Sequence, residues 1–507
     1  MGIQQQDEVE RKFVVDPEVV LPPLTVVGGV TRLGPSTAVD LHAVYFDTPQ
    51  LDLHRRGISL RRRSGGEDEG WHLKLPSDGD RRTELRVPLG RSRSRVPARL
   101  LDPVRSVVRD RPLHAVASLD THRVQQQLVG ADGVVLAWLC DDTVAGRRLD
   151  GTDEGQTWRE IEVELVEGTP EVLDAVGAAL VLAGATQPPA TSKVRRVLGA
   201  VDHDEGRRVA RHTKRASARE ELLAYLEEHI AALHRADQDV RTGGEEGVHR
   251  LRIAARQLRA VLTTYEPLMG KDAVRGVRTD LRWLGQAMAG PRDAQVLQDR
   301  LIRLVSEQPR DLVLGPVRAR VTRDLSATRR AATGSVRTVL RSAEYYRLLD
   351  TLDDLLEFEG WAPVAGSRAR DVLPDLLRHD LRDVHRAIRR TPPDGPERDA
   401  ALHEVRKKAK KLRYSAESAV PSLGPRAAVL ARRAKEIQTA LGEHQDAVMA
   451  ARMLRRYAAE ADADGDSSFT FGRLHALEEE RARLAEKAFR RIQGTLPRRH
   501  LRRWLRG

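Results

Sequence analysis

Two stretches of the 507-residue chain, about 150 residues apart, carry the same cationic stripe. One is His249, Arg252, Arg256 and Arg259 in VHRLRIAARQLRA; the other is His403, Arg406, Lys410 and Arg413 in LHEVRKKAKKLRY. At a helical 100° per residue, offsets of 0, 3, 7 and 10 place all four side chains within roughly an 80° sector. Leu251, Ala255 and Leu258, matched by Val405, Ala409 and Leu412, fall on the opposite side and predict a buried face. A chain with this pattern must build two amphipathic helices whose polar edge is cationic.

The repeat runs further. LGQAMAGPRDAQVL places Asp293 44 residues beyond His249, and IQTALGEHQDAVMA places Asp446 43 residues beyond His403. Arg282 and Lys435 also align. An internal duplication of helices is the economical reading. The copies differ: Glu404 stands where the first has Arg250, and the second adds lysines at 407, 408 and 411. For Asp293 and Asp446, pairing with stripe arginines and N-cap or ordinary salt-bridge duty are both open.

Charge bounds the partner. The formal net charge is +12 and the isoelectric point about 10.0, which points to a polyanion: nucleic acid, polyphosphate or an acidic membrane surface. Aromatic residues make up only 4%, thin for a protein that stacks bases, so nucleic acid is disfavoured. The single cysteine, Cys140, excludes an internal disulfide framework and fits a reducing compartment. No run approaches 18 apolar residues, and the start MGIQQQDEVERK has no signal-peptide core. The expectation is a soluble, cytoplasmic protein that does not enter membranes.

The two parts of the chain follow different periodicities. Residues 1–200 alternate with period two in EVERKFVV, AVYFD, ISLRRR, WHLKL, TELRV, VVLAWL and REIEVEL, with helical interruptions at 97–109 and 169–183. This predicts about eight antiparallel strands closing into a barrel or tunnel. From about 215 the period is 3.6, broken by Gly or Pro near 243, 270, 290, 315, 365, 393, 424 and 465. The fold class expected is therefore an α+β multidomain chain: an eight-stranded antiparallel β tunnel, a polar linker at 201–216, and an all-α domain at 217–507. The latter should form two pseudo-symmetric helical bundles, about 217–340 and 341–507.

Glu8, Glu10 and Lys12 share one face of the first strand, and Glu160, Glu162 and Glu164 one face of a late strand. Arg61, Arg63, Lys74, Glu84 and Arg86 recur on strands between. In an open sheet such residues form a solvated face. In a small closed barrel one face is inside, and a charged interior needs a ligand. Carboxylates from both ends of the domain suit Mg²⁺ or Mn²⁺, while arginine forks and lysines suit phosphate oxygens.

These residues resemble the CYTH superfamily of triphosphate tunnel metalloenzymes: Glu8-Val9-Glu10-Arg11-Lys12 fits its ExExK signature. In order along 7–197 follow YFDTP, LxxxGISLRRR, WHLKLP, TELR, THR with Arg123, EIEVEL, and TSKVRR with Lys193. The resemblance implies that Glu8, Glu10, Glu162 and Glu164 hold the metal, and that Lys12, Arg61, Arg63, Lys74, Arg86, Arg123 and Lys193 clamp a triphosphate. It implies hydrolysis by a metal-positioned water, with Glu160 or Glu84 orienting a cation or helping to activate that water. Residues 215–505 resemble the CHAD domain, whose duplicated bundles bind inorganic polyphosphate. There His249, Arg252, Arg256, Arg259, Arg282, His403, Arg406, Lys407, Lys410, Lys411, Arg413 and Lys435 become the polyphosphate contacts. The implied protein is a metal-dependent inorganic triphosphatase with a polyphosphate-binding domain, associated with polyphosphate granules. Two alternatives stand beside it: a granule-binding protein without turnover, and a nucleotide or thiamine triphosphatase or adenylate cyclase. Trp71, Trp138 and Trp158 are expected in the barrel core and Cys140 to be inert.

Overall fold

The computed structural model describes residues 4–76, 81–90, 95–151, 155–187, 192–199, 216–244 and 246–497, and the chain divides into two compact units, Met1–Arg208 and Val209–Gly507. Apart from Ala216, the expected linker at 201–216 lies outside the described residues.

Nine strands build the first unit: β1 (Gln4–Val15), β2 (Val30–Leu33), β3 (Thr37–Asp47), β4 (Ser59–Ser64), β5 (Gly70–Leu75), β6 (Arg81–Val87), β7 (His114–Gly130), β8 (Val135–Arg148) and β9 (Gln156–Leu165). Neighbours pair antiparallel in the order β7, β3, β4, β5, β6, β1, β9, β8, and β8 returns to pair with β7. Eight strands thus close a ring, and the short β2 adds to the far end of β7. Closure removes the free edges that an open sheet would expose.

The alternation is the inverse of a globular barrel, because the apolar face points outward. On one side Phe13, Ile161 and Val163 pack beneath Leu173, Val176 and Leu180 of α1 (Pro170–Leu182). On another, Leu60, Trp71, Leu73 and Leu85 lie under Leu100, Val104 and Val107 of the helical stretch 98–108. Each such side chain contributes roughly 1.5–3 kcal/mol when buried, so the outer layer stabilises the barrel and leaves its lumen for charge. One stretch of the lumen is apolar. A six-residue helix, α2 (Lys193–Leu198), places Val194, Val197 and Leu198 against Ala43, Tyr45, Leu119, Val144 and Trp158 and plugs it. The plug seats so closely that a Cβ at Gly146 would fall 2.5 Å from Val197 Cγ2.

Among the described residues, ten long helices carry the second unit: α3 (Ala218–Thr242), α4 (Gly247–Thr264), α5 (Lys271–Ala287), α6 (Ala289–Ser306), α7 (Val317–Val339), α8 (Ala343–Asp354), α9 (Ala369–Arg390), α10 (Arg398–Ser418), α11 (Pro425–Ala463) and α12 (Phe469–Gln493). Ser217 opens α3 with a capping box to Glu220, and Gly243 closes it in the left-handed region. The halves correspond in order: α3 with α9, stripe helix α4 with stripe helix α10, α5 and α6 together with the unbroken α11, and α7 with α12, while α8 lies between them without a counterpart among the described residues. Their apolar faces merge. Leu251, Leu258, Leu281 and Leu284 share one core with Leu377, Val405, Leu412 and Ile437. Leu301, Leu304 and Val321 share a second with Leu454, Phe471 and Leu474. No helix among the described residues is long and apolar enough to cross a membrane.

Candidate functional site: a charged tunnel and a cationic helix face

Inside the barrel, Glu8, Glu10 and Lys12 from β1 meet Arg61 and Arg63 from β4, Lys74 from β5, Arg86 from β6, Arg123 from β7, Glu162 and Glu164 from β9, and Lys193 at the start of α2. All line one cavity of about 90 Å³. Glu84 and Glu160 are buried against it, through Arg86 and Lys74 for the first and Lys193 for the second.

The ion pairs sort into two groups. Near β1 and β6, Glu8 accepts from Lys74 Nζ at 2.6 Å and from Arg86 at 2.7 Å. Glu84, fully buried, is bonded by Arg86 Nε and lies 3.8 Å from both Arg61 and Lys74. Near β8 and β9, Asp142 accepts two bonds from Arg123 at 2.7 Å, and Lys193 reaches Asp142 at 2.9 Å and Glu160 and Glu162 at 2.7 Å. Arg123 also reaches Glu162 at 2.6 Å, and Lys12 bonds Glu162 and lies 3.2 Å from Glu10.

Titration follows this crowding. Burial works against the charge of Glu162, yet Lys12, Lys193 and Arg123 together hold its carboxyl well below the usual range. The same carboxylates drive Lys193 well above the ordinary lysine value against the cost of burial. Glu164 goes the other way. Burial, then Glu8, Glu10 and Glu162 as like charges, push it up. Arg63 is pulled down to about 9 by burial, Arg61 and Arg123. Carboxylates and cations interleaved in one cavity offer oxygen ligands for a divalent cation beside donors for a polyanion.

On the second unit, α4 and α10 bring their stripes together. Burial first, then Arg256, Arg406, Arg252 and Arg259, push the Lys410 ammonium down to about 7. Arg259 is lowered by burial, then by Arg282, Arg256 and Arg278, so Arg282 extends the cluster as its alignment implied. Buried Nε atoms of Arg256 and Arg406 have no hydrogen-bond partner, a cost of about 1–3 kcal/mol each that an incoming anion would offset. The Arg406 guanidinium lies over Gly442, where a Cβ would come 3.1 Å from it. Arg252 donates to the Ala289 carbonyl at 3.2 Å, at the break between α5 and α6. His403 is half-buried, bonded by Gln445, and lowered by burial and by Lys407 and Arg406. His249 is half-buried in the first turn of α4.

Other expected contacts stand elsewhere. Lys411 is held at 2.7 Å by the buried Asp380, which also takes Thr264 and Ser415, so this lysine serves a polar network behind the stripe. Lys407 is exposed and bonded by Glu404, Lys435 is exposed on α11, and Arg413 donates to Glu417 at 2.7 Å and Gln438 at 3.3 Å. The side chain of Asp293 lies outside the described residues; Asp446 is half-buried beside Gln445.

The comparisons with known proteins divide the chain the same way. A family model for the CYTH domain matches residues 6–198 and one for the CHAD domain matches 224–455. The chain belongs to the CYTH–CHAD proteins. An uncharacterized protein of Mycobacterium tuberculosis, recorded from strains CDC 1551 and ATCC 25618 / H37Rv, is 38% identical over 507 residues, 96% of this chain and 95% of its own. Among solved structures, PptA from Streptomyces chartreusis aligns with TM-score 0.48 and 23% identity, covering 55% of this chain and 100% of PptA. The CHAD domain of Ricinus communis gives 0.43 and 22%, over 56% of this chain and 93% of that domain.

In the CYTH tunnel, reading the sequence overlooked Asp142. With Glu160 and Glu162 it forms a group of three buried carboxylates with oxygens within 4.8 Å. The signal was its place one step inward on β8, opposite Glu160, beside Asp141, which faces out to Arg159. In the CHAD unit the overlooked residues are Gln445 and Arg278. Trp71 and Trp158 are buried as expected; Trp138 is only half-buried. Cys140 is buried, and burial pushes its thiol up to about 12, too high for reactivity at neutral pH.

Proposed function

We propose that this CYTH–CHAD protein hydrolyses inorganic triphosphate, or a closely related triphosphate, with Mg²⁺ or Mn²⁺, and that its CHAD unit binds polyphosphate. The observation that carries the reading is the charge of the tunnel. Its lining holds seven Lys and Arg side chains and five carboxylates, and Glu84, Asp142 and Glu160 are ion-paired to the same cations, so the side chains carry no positive surplus of their own. Three linked phosphates bring about four to five negative charges near neutral pH. The side chains, already paired with carboxylates, do not balance that charge alone, and a divalent ion supplies part of what is missing.

The donor set fits such an ion. Glu8, Glu10, Glu162 and Glu164 supply hard oxygens, and burial together with the like charges of Glu8, Glu10 and Glu162 raises Glu164. The ion would neutralise developing charge and make water a better nucleophile. Asp142, Glu160 and Glu162 share Arg123 and Lys193, as Glu8 shares Lys74 and Arg86, so a metal at either group would take the place of a paired cation. The protein's own part is positioning and charge neutralisation, the main demands of phosphoryl transfer. Arg61, Arg63, Lys74 and Arg86 would grip one end of the chain and Lys12, Arg123 and Lys193 the other. Lys74 and Arg86 exchange Glu8 for phosphate oxygens as substrate enters. Phosphate release from tripolyphosphate, measured with Mg²⁺, with Mn²⁺ and with EDTA, tests this; absent or metal-independent release refutes it.

A further inference from the structure

His72 stands where nothing in the triphosphatase reading requires a histidine. It lies on β5 between Arg61 on β4 and Arg86 on β6, each its direct cross-strand partner, so all three share the lumen face. The ring is 1% exposed and Glu84 beside it 0%. A polar ring buried this deeply must have partners, and it has two. Nδ1 stands 3.2 Å from Glu84 Oε1, and Nε2 stands 2.9 Å from the carbonyl oxygen of Asp68 in the turn between β4 and β5.

Both partners are acceptors. A neutral imidazole has one N–H and can satisfy only one of them; the doubly protonated ring satisfies both. Burial, then Arg61 and Arg63, oppose the second proton and pull the ring down to about 4, against the attraction of Glu84. The cations that oppose it are those a triphosphate would neutralise. Glu84 in turn is bonded by Arg86 Nε and faces Arg61 and Lys74. The Asp68 carboxylate bonds Arg63. One ring therefore joins the carboxylate among three phosphate-facing cations, Arg61, Lys74 and Arg86, to the turn that carries the counter-ion of a fourth, Arg63.

We propose that His72 is a positioning residue of the tunnel: donating its single N–H to Glu84 while its other edge packs on the Asp68 carbonyl of the 64–69 turn, it fixes Arg61, Lys74 and Arg86 where they meet the phosphate chain. It touches no substrate and acts through Glu84. The inference rests on the triphosphatase reading and goes beyond it by assigning a residue that reading leaves unused.

Side-chain geometry supplies the test. In H72N the amide nitrogen can occupy the place of Nδ1 and keep the contact to Glu84; in H72Q it can occupy that of Nε2 and keep only the contact to Asp68. In the full-length protein, H72A and H72Q should raise KM for tripolyphosphate about tenfold with kcat changed less than about threefold, and H72N should stay near the wild type. Wild-type KM in H72A overturns the proposal. So do H72N and H72Q impaired alike, with equal losses of melting temperature, since that marks a packing role. If the wild-type protein shows no turnover, the hydrolase reading fails, and the same three variants are compared by calorimetric titration with tripolyphosphate. The tunnel component is then the one lost in R61A. The same order of affinities is expected, and equal affinities overturn the positioning role.

Discussion

Lys410 gives the sharpest test of the cationic face, because two opposite pH dependences follow from one side chain. In the ligand-free protein, burial and then Arg256, Arg406, Arg252 and Arg259 bring its ammonium down to about 7 from an ordinary 10.5. The folded chain therefore prefers the neutral amine and the unfolded chain the cation. Between pH 7 and 10.5 the unfolded state binds more protons, so stability rises with pH, by at most about 1.4 kcal/mol per pH unit before solvent screening reduces it. Polyphosphate, bound as proposed, should reverse the balance. Its charges neutralise the four arginines and restore the lysine's proton, so binding takes up a proton above pH 7.

Affinity for long-chain polyphosphate should then be highest below pH 7 and fall as pH rises, by about twentyfold between pH 6.5 and 8.5 if the bound lysine recovers its ordinary value. Internal phosphates of a long chain stay singly ionised over this range, so the ligand adds no titration. Calorimetry in EDTA, repeated in two buffers of different ionisation enthalpy, reads both affinity and proton uptake. Lys410→Arg should remain tight at pH 8.5, and Lys410→Met should be weak and flat with pH while raising the melting temperature near neutrality. A wild-type affinity that is flat from pH 6.5 to 8.5, with no proton uptake, would refute the argument that the two stripes crowd one another.

Other expectations follow from single contacts. Glu10→Gln should cut tripolyphosphate turnover by about a hundredfold or more and raise the Mg²⁺ concentration needed for half activity, with little change in melting temperature. Lys193→Ala leaves Asp142, Glu160 and Glu162 buried without their shared cation and should cost about 3–5 kcal/mol in a denaturant titration; an unchanged midpoint would show that water already screens the trio. Gly146→Ala should destabilise by about 1–3 kcal/mol by pushing Val197 and the α2 plug off the lumen wall. Gly442→Ala should stabilise α11 by up to about 1 kcal/mol yet weaken polyphosphate binding several-fold in a salt titration, because it displaces Arg406.

Much of this was legible in the sequence for a geometric reason. Period-two charge on short strands and period-3.6 charge on long helices survive folding unchanged, so Glu8, Glu10 and Lys12 share a lumen and Arg252, Arg256 and Arg259 share an edge. The longest strand escaped notice. β7 carries Ser118, Asp120, His122 and Gln125–Gln127 on both faces, because its outer face is left polar, where His42 and Asp120 pair at 2.6 Å and His122 and Asp40 at 2.7 Å. Alternation of polarity vanishes when both faces are polar. Lys411 and Arg413 show the converse limit. Helical offsets place Arg413 on the stripe, but Glu417 one turn away claims it, and Asp380 on α9, distant in sequence, claims Lys411. Asp142 was hidden by its neighbour, since an Asp-Asp pair does not say which member faces in.

The two units handle positive charge differently. In the tunnel the cations are paired with carboxylates: Glu8 holds Lys74 and Arg86, Glu162 holds Lys12, and Asp142 holds Arg123. Ligand entry there is an exchange of counter-ions, which costs little net charge and demands exact size and metal content. On the helix face Arg256, Arg259, Arg406 and Lys410 have one another for neighbours, so binding relieves repulsion and requires only a line of anions. On the proposed function, the first arrangement would discriminate and the second would accept chains of any length. Raising salt from 50 to 500 mM should therefore weaken polyphosphate binding by the CHAD face steeply, with a slope reporting several neutralised cations, and alter KM in the tunnel far less. Equal slopes at the two sites would contradict the paired and unpaired charge patterns from which both functions are argued.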